Sequence, residues 1–456
     1  MATEFEPQFE PLYTAAEMRA AEDRYPGTVE ELMERAGSAV ARIALDLFAN
    51  RQRWTVVCGG GANGGDGRIA ARELERAGRD VRIVDAKAGE SDLGEPDAIV
   101  DALFGTGFAG EPRPDAAALI ERMNNAAAPV LAVDLPSGVD ASTGEIAGVA
   151  VNAQATVTFH GRKVGLVVAP SRFHAGVVHL ADIGLEHVDT EHRFATVGIL
   201  RSVPRRREGD NKYTAGHVLV VGGSPGLTGA PSLTAMAALR ADAGYVTLAA
   251  PQETLPVFEQ RLLEVVKRPL FDDLTELAAK ASSLAIGPGL GRSDAVRALV
   301  RRALAEIALP AVVDADALYE LEPGDWPAPR VLTPHEGELA RLLGRESKEI
   351  AAHRIASARQ AADRFQCVVL LKGADTLVAA PGRGLLVSAL GLPSLATAGT
   401  GDVLTGILGA FLAKGMEPQL AAAAAAAAQQ RASVEAPQRA GLVASDVIDA
   451  LPRALR

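Results

Sequence analysis

Residues 55–78 read TVVCGGGANGGDGRIAARELERAG, and this stretch decides how the chain is to be read. TVVC is a short apolar run rich in β-branched residues, and IAARELERAG carries apolar positions at helical spacing. A strand that passes through a glycine-rich loop straight into a helix is the opening of a βαβ unit. The loop GGGANGGDG, residues 59–67, is neither a GxGxxG dinucleotide fingerprint nor, lacking its lysine, a phosphate-binding P-loop. One reading is a strand-to-helix turn that needs glycines. The other is a ligand site, with backbone amides at a helix N-terminus and the oxygens of Asn63 and Asp66 beside them.

The same rhythm recurs on both sides. VRIVDA, AIVDALFG and PVLAVDLPSG each end in a glycine or polar turn, which predicts a parallel α/β sheet. Before them, residues 17–48 read as two helices divided at Pro26 and Gly27. Residues 201–216, RSVPRRREGDNKYTAG, have no apolar periodicity and carry three consecutive arginines, so the linker is placed there. Beyond it HVLVVGG, YVTLAAP, LAIGPG, AVVDADAL and CVVLLKGA restart the rhythm. The expectation is two α/β domains, residues 1–205 and 206–456, with the run from Ala421 to Ala428 forming a tightly packed helix.

Composition removes several function classes. The 456 residues include 46 Lys plus Arg against 57 Asp plus Glu, and the resulting charge of -11 repels a nucleic-acid backbone rather than gathering it. Aromatic residues at 4% leave few platforms for stacking single-stranded bases. Cys58 and Cys367 are too far apart in sequence to suggest a disulfide framework or a metal cluster. The acidic N-terminal segment lacks the basic and apolar blocks of a signal peptide, and no apolar stretch approaches a membrane span. A cytoplasmic enzyme of small molecules is expected, with no nucleic-acid or membrane partner, and as a homo-oligomer.

In the first domain, Asp101, Asp134 and Ser137 stand at further strand ends. Loops at the carboxyl ends of a doubly wound sheet converge on one crevice, so these oxygens and those of the 59–67 loop belong to a shared site. Asn, Asp and Ser oxygens without His or Cys suit a hard or weakly held cation rather than zinc. LMERAG at 32–37, ANGGDG at 62–67, DALFGTG at 101–107 and DLPSG at 134–138 together resemble the NAD(P)H-hydrate epimerases. The resemblance implies a Rossmann-like three-layer α/β/α fold and a potassium ion held by Asn63, Asp101 and Ser137. It also implies substrate contacts from Ala62, Asn63, Gly64, Gly65 and Asp66, from Gly105, Thr106, Gly107, Phe108, Ala109, Gly110 and Glu111, and from Asp134, which is also the candidate catalytic residue. Ala62 stands where the family usually has a second Asn, so one side-chain amide is missing from the substrate loop.

In the second domain, Gly399, Thr400, Gly401 and Asp402 precede an apolar helix. Bare amides at a helix N-terminus stabilise a transferring phosphoryl group, and an Asp there takes the proton of an attacking hydroxyl; the bland alternative is helix capping by Asp402. IGPGLG, VVDADAL, TPHEGE, LKGADT and LATAGTGDVL are similar to the ribokinase-like NAD(P)H-hydrate dehydratases, from about residue 216 to 456. That resemblance implies a ribokinase-like α/β/α domain. Lys372, Gly373, Ala374, Asp375 and Thr376 would bind ADP or ATP with Mg2+, together with Gly399, Thr400 and Gly401. Ala230, a glycine of GPGLG (Gly289 or Gly291), His335 and Asp402 would face the hydrated nicotinamide, with Asp402 as base. Departures from the family pattern, such as Asn211, Asp242 and Glu336, leave the phosphoryl-transfer loop untouched.

The joint expectation is a bifunctional repair enzyme for hydrated NADH and NADPH, an isomerase fused to a nucleotide-dependent lyase. The alternative is a vitamin-precursor kinase of ribokinase-like fold fused to a non-catalytic Rossmann-like binding module.

Overall fold

The computed structural model describes residues 7–271, 273–388 and 391–456. The chain forms two compact units, one of Pro11–His192 and one built mainly of residues from Arg193 onward. This differs from the expected division at 205/206. Strand Arg193–Ala195 pairs with Leu386–Ser388, and Ile199, Leu200 and Val203 are buried in the C-terminal unit's core. The aperiodic 201–216 segment therefore lies inside the second unit rather than between the two. Residues 7–10 also belong there: Thr196 accepts a place beside them by donating its Oγ1 to the Pro7 carbonyl, and its amide donates to Gln8 O at 3.2 Å.

In the N-terminal unit six parallel strands run in the order Asp80–Asp85, Arg53–Cys58, Ala98–Ala102, Val130–Val133, Ala155–Phe159, Val177–Ala181. Alternation assigns the two faces. Trp54, Val56 and Cys58 pack in the layer that holds Val40, Ala44, Ala70 and Leu74, whereas Val57 and Ile99 pack with Leu119, Ile120 and Met123. The order reverses between Arg53–Cys58 and Ala98–Ala102, so the loops leaving these two strands diverge and open a crevice.

The helix after Arg53–Cys58 starts at Ala62 and runs to Arg76, seven residues earlier than the apolar periodicity from Ile69 indicates. The glycines explain the difference. None of those between 59 and 67 has positive φ, so a turn does not require them. Close approach does: a Cβ on Gly64 would lie 2.0 Å from Gly59 O, and one on Gly67 would lie 2.4 Å from the Ala102 Cβ. They let the first turns of the helix press onto the strand ends.

The C-terminal unit carries a mixed sheet. Val266–Pro269, Tyr245–Ala250, His217–Val221, Ser283–Ile286, Ala311–Val313, Arg330–Leu332 and Val368–Leu371 are parallel neighbours in that order, and Thr376–Ala379 and Leu386–Ser388 then continue antiparallel. The reversal falls between His217–Val221 and Ser283–Ile286. Helix Pro418–Glu435 contains the alanine run, every residue of which is buried; the small side chains let it lie close to neighbouring elements. Both thiols are buried, and burial pushes Cys58 up to about 11 and Cys367 up to about 12, which leaves them inert at neutral pH. Among the described residues no helix is long and apolar enough to cross a membrane.

Candidate active sites

The crevice of the N-terminal unit is a cavity of about 540 Å3. Gly60, Gly61, Ala62, Asn63 and Asp66 form one wall, residues 103–108 form another, and Asp134 closes it. Phe104 and Phe108 stack with centroids 4.6 Å apart, giving a flat apolar surface. Of the residues expected here, Gly64 and Gly65 face the protein interior, Gly65 toward the Met33 sulfur, while Ala109, Gly110 and Glu111 continue past the cavity without lining it.

Two carboxylates in this cavity have opposite surroundings. Asp134 is held in the left-handed region at φ 66°, a conformation that costs a non-glycine residue on the order of 1–3 kcal/mol and therefore must be imposed by its neighbours. Its Oδ1 lies 2.5 Å from the Nζ of Lys163, a fully buried ammonium that also donates to Thr158 Oγ1 and Phe159 O at 2.9 Å each. Asp66 has no such cation among the described residues. Burial first, then the charges of Asp134 and Glu22, push it up to about 8, so it is largely protonated at neutral pH. Lys163 escapes sequence reading because a single Lys in GRKVG carries no periodic or motif signal; only the fold brings it under Asp134.

Asn63, Asp101 and Ser137 share one hydrogen-bond network at the strand ends. Ser137 donates from its hydroxyl (2.6 Å) and amide (2.8 Å) to the two Asp101 oxygens, and from Oγ accepts the Phe104 amide at 2.9 Å; Asn63 Nδ2 donates to Phe104 O at 2.9 Å. Asp101 is wholly buried, and burial raises it to about 6 against the lowering effect of these hydrogen bonds. No cationic side chain pairs with it among the described residues. A buried carboxylate surrounded by neutral oxygens is a donor set that fits a weakly held monovalent cation.

In the C-terminal unit, loops 222–229 and 287–291 flank the strand-order reversal and are tied together: Gly223 N donates to Pro288 O at 3.0 Å and Ser224 Oγ to Gly289 O at 2.9 Å. Gly289 is fully used by packing, since a Cβ there would lie 2.4 Å from Leu227 O, whereas Gly291 gives its amide to Asp316 at 2.9 Å. Beside them, helix Thr400–Ala413 begins at Gly399, whose φ of 89° only glycine adopts readily. Thr400, Gly401 and Asp402 are thus the first helical turn itself.

Asp402 sits among charges supplied by other strand ends. Asp314, 1% exposed, accepts from Lys372 Nζ at 2.8 Å and from Thr405 Oγ1 at 2.7 Å. Burial alone would lower the Lys372 ammonium, but the carboxylates of Asp314 and Glu338 outweigh it and hold the group raised and charged. Burial, then the Asp314 charge, push Asp402 up to about 7 against the pull of Lys372. Thr234 Oγ1 spans the carbonyls of Ala230 and Asp402 at 3.1 Å each, which fixes helix Gly229–Arg240 against the first turn of helix Thr400–Ala413. A Cβ on Gly401 would lie 3.4 Å from Lys372 Nζ, so nothing stands between this turn and the ammonium.

The 372–376 loop is clamped from behind by Arg354, which pairs with Asp375 at 3.0 Å and donates to the carbonyls of Asp375 (3.0 Å) and Lys372 (3.4 Å). The Asp375 carboxylate therefore faces inward. His335 caps helix Glu336–Leu343, its Nδ1 accepting the Gly337 and Glu338 amides, while Nε2 of its half-exposed ring lies 3.6 Å from Glu338 Oε1. Arg354 and Thr405 are candidate-site residues outside the quoted motifs, and Glu338, the last residue of TPHEGE, joins them through Lys372 at 3.9 Å.

Two doubly wound α/β units, each with titratable groups and helix N-termini gathered at its strand-order reversal, define a two-site enzyme. The family described as NAD(P)H-hydrate dehydratase matches residues 218–453, and the family of YjeF-related protein N-termini matches 29–93 and 83–165. The bifunctional NAD(P)H-hydrate repair enzyme of Moorella thermoacetica is 40% identical over 98% of this chain and 96% of its own length; that of Escherichia coli is 35% identical over 95% and 91%. The crystal structure of the ADP/ATP-dependent NAD(P)H-hydrate dehydratase from Bacillus subtilis, co-crystallized with ATP/Mg2+, aligns with 56% of this chain and 94% of its own at 28% identity and a TM-score of 0.52. The chain belongs to the family of bifunctional NAD(P)H-hydrate repair enzymes.

Proposed function

We propose that the C-terminal unit dehydrates the S hydrate of NADH and NADPH at the expense of ADP or ATP, and that the N-terminal unit interconverts the R and S hydrates. The observation that carries the reading is Asp402, a carboxyl raised to about 7 in the first turn of a helix whose glycine amides are bare. A base poised near neutrality is suited to take a proton from the substrate hydroxyl. The hydroxyl oxygen then attacks the terminal phosphorus of the nucleotide held by the 372–376 loop, with Mg2+ as its companion, and AMP or ADP departs. The amides of residues 399–401 and the Lys372 ammonium stabilise the charge on the transferring group. Ring-nitrogen electrons expel phosphate where hydroxide would not leave, and loss of a ring proton restores the reduced nicotinamide.

In the N-terminal unit the protonated Asp66 gives its proton to the departing hydroxyl, which leaves as water with ring-nitrogen electrons closing behind it. Asp134, held beside Lys163, takes a proton from the water that returns to the opposite face. Asn63, Asp101 and Ser137 would hold potassium, whose charge would balance Asp101 and steady the loop carrying Phe104. The vitamin-precursor kinase reading offers no role for the Asp66, Asp134 and Lys163 arrangement.

Oxygen tracing tests the phosphorylation step. With an 18O-labelled substrate hydroxyl, the label is expected in inorganic phosphate. Label recovered in water would refute it.

A further inference from the structure

Two strand-end loops of the C-terminal unit meet where Lys372 N donates to Pro334 O at 2.9 Å, which joins the 372–376 loop to the chain entering helix Glu336–Leu343. Behind this junction lies Arg354, whose side chain is 1% exposed. Its Nε and Nη2 meet the two oxygens of the Asp375 carboxylate at 3.1 and 3.0 Å, Nη2 also donates to the carbonyls of Asp375 and Lys372, and Nη1 donates to the Glu336 carboxylate. Gly373 shows how close the contact is. It has no positive φ, so no turn requires a glycine there, yet a Cβ would lie 2.3 Å from Arg354 Nη2. The loop needs a glycine so that its backbone can rest on the guanidinium.

We propose that Arg354, oriented by Glu336, is a positioning residue for the nucleotide: it holds the backbone of the 372–376 loop in the form that binds ADP or ATP. Ordinary helix stability does not account for it. Arg354 opens helix Arg354–Phe365, where the partial positive charge of a helix N-terminus disfavours a cation. Glu336 stands in the first turn of its own helix, where a carboxylate is favoured, and is one of this chain's departures from the family pattern. A planar guanidinium serves Asp375, two carbonyls and Glu336 at once, which a single ammonium cannot do. Asp375 is buried and Glu336 partly exposed, so the Arg354 charge is balanced from within and its fork is aimed from the rim. The Lys372 ammonium, by contrast, is placed by Asp314, whereas its backbone is placed by Arg354. Loss of the guanidinium therefore falls on nucleotide binding before it falls on phosphoryl transfer.

The assignment rests on the dehydratase reading, and calorimetric titration of the full chain with ADP, and with ATP and Mg2+, separates the two because it requires no turnover. Arg354→Lys keeps the charge, but the buried Asp375 would claim the one ammonium; the nucleotide Kd should rise by about 10–100-fold, the loss expected for charge-assisted contacts. Glu336→Gln, at the partly exposed partner, should raise it by about 2–5-fold. In the Arg354→Lys background the Glu336 change should add nothing, since the fork that Glu336 orients is gone. In turnover of the S hydrate, the nucleotide KM should rise in step with Kd, while kcat at saturating nucleotide and the hydrate KM change far less. An Arg354→Lys variant that melts lower but binds nucleotide as wild type does has lost only structure, and that result overturns the assignment, as does an equal rise of the two KM values. If Arg354→Lys does not fold, Glu336→Gln decides: a wild-type Kd in that variant overturns the assignment. Wild type that binds neither nucleotide overturns the dehydratase reading, and the role of Arg354 with it.

Discussion

Replacing Asp402 with Asn keeps the side-chain shape and the Thr234 bond to the residue's carbonyl while deleting the proposed base. Removing a general base should lower the dehydration rate by about 10²–10⁴-fold. Stability should move the other way. A carboxyl raised from 3.8 to about 7 costs the native state roughly 4 kcal/mol once ionised, at 1.36 kcal/mol per unit. Partial exposure screens this to about 1–2 kcal/mol, and loss of a favourable charge at the helix N-terminus returns about 0.5 kcal/mol. The sign follows from the raised native value. Below about 4 both states are protonated and the variant gains nothing; between about 4 and 7 the wild-type penalty grows with pH; above 7 it is complete. The variant should therefore melt a few degrees higher than wild type at pH 8 and equally with it near pH 4. Return of the reduced-nicotinamide absorbance from pure S hydrate, read beside thermal unfolding, checks both halves. A variant within a few-fold of wild type in rate refutes the base assignment, and one that loses rate and stability together shows a structural role instead.

Other perturbations separate the two units. Lys163→Met leaves Asp134 without its buried partner and should slow epimer exchange by about 100-fold at a stability cost of about 3–5 kcal/mol, with the dehydration rate on pure S hydrate unaffected; chromatographic exchange rates and denaturant melts measure both. Epimerisation should fall as pH rises through about 8, where Asp66 loses its proton, and an Asp66→Asn variant should lack that limb of the kcat/KM profile. Asp101→Ala should abolish any potassium dependence of epimer exchange and leave dehydration alone; equal loss of both activities would indicate misfolding. Residues 11–192 expressed alone should be soluble and retain epimer exchange, because the N-terminal unit has its own two-faced core; an insoluble fragment would contradict that.

Strand-and-glycine rhythm made the two α/β sheets legible, because strands buried on both faces read as continuous apolar runs and their loops as clusters of Gly, Asp and Pro. Boundaries were less legible. The 201–216 segment looks like a linker from composition, yet Ile199, Leu200 and Val203 just before it are core residues of the second unit, and a short 3-10 turn leaves no periodic trace. The 59–67 glycines looked like a turn because sequence does not distinguish positive φ from close packing. In the sites, residues within motifs such as Asn63, Asp134, Lys372 and Asp402 could be named in advance. The groups that tune them could not: Lys163 beneath Asp134, Arg354 behind the 372–376 loop and Thr234 across to Asp402 act through contacts between residues 18 to 168 positions apart.

The central claim is that two complementary activities reside in one chain. Purified full-length protein given equal amounts of the R and S hydrates with ADP or ATP should convert both to reduced nicotinamide dinucleotide, the R hydrate disappearing as fast as exchange supplies its epimer. Consumption that stops when the S hydrate is exhausted, with the R hydrate intact, would contradict the account and leave the N-terminal unit a binding module.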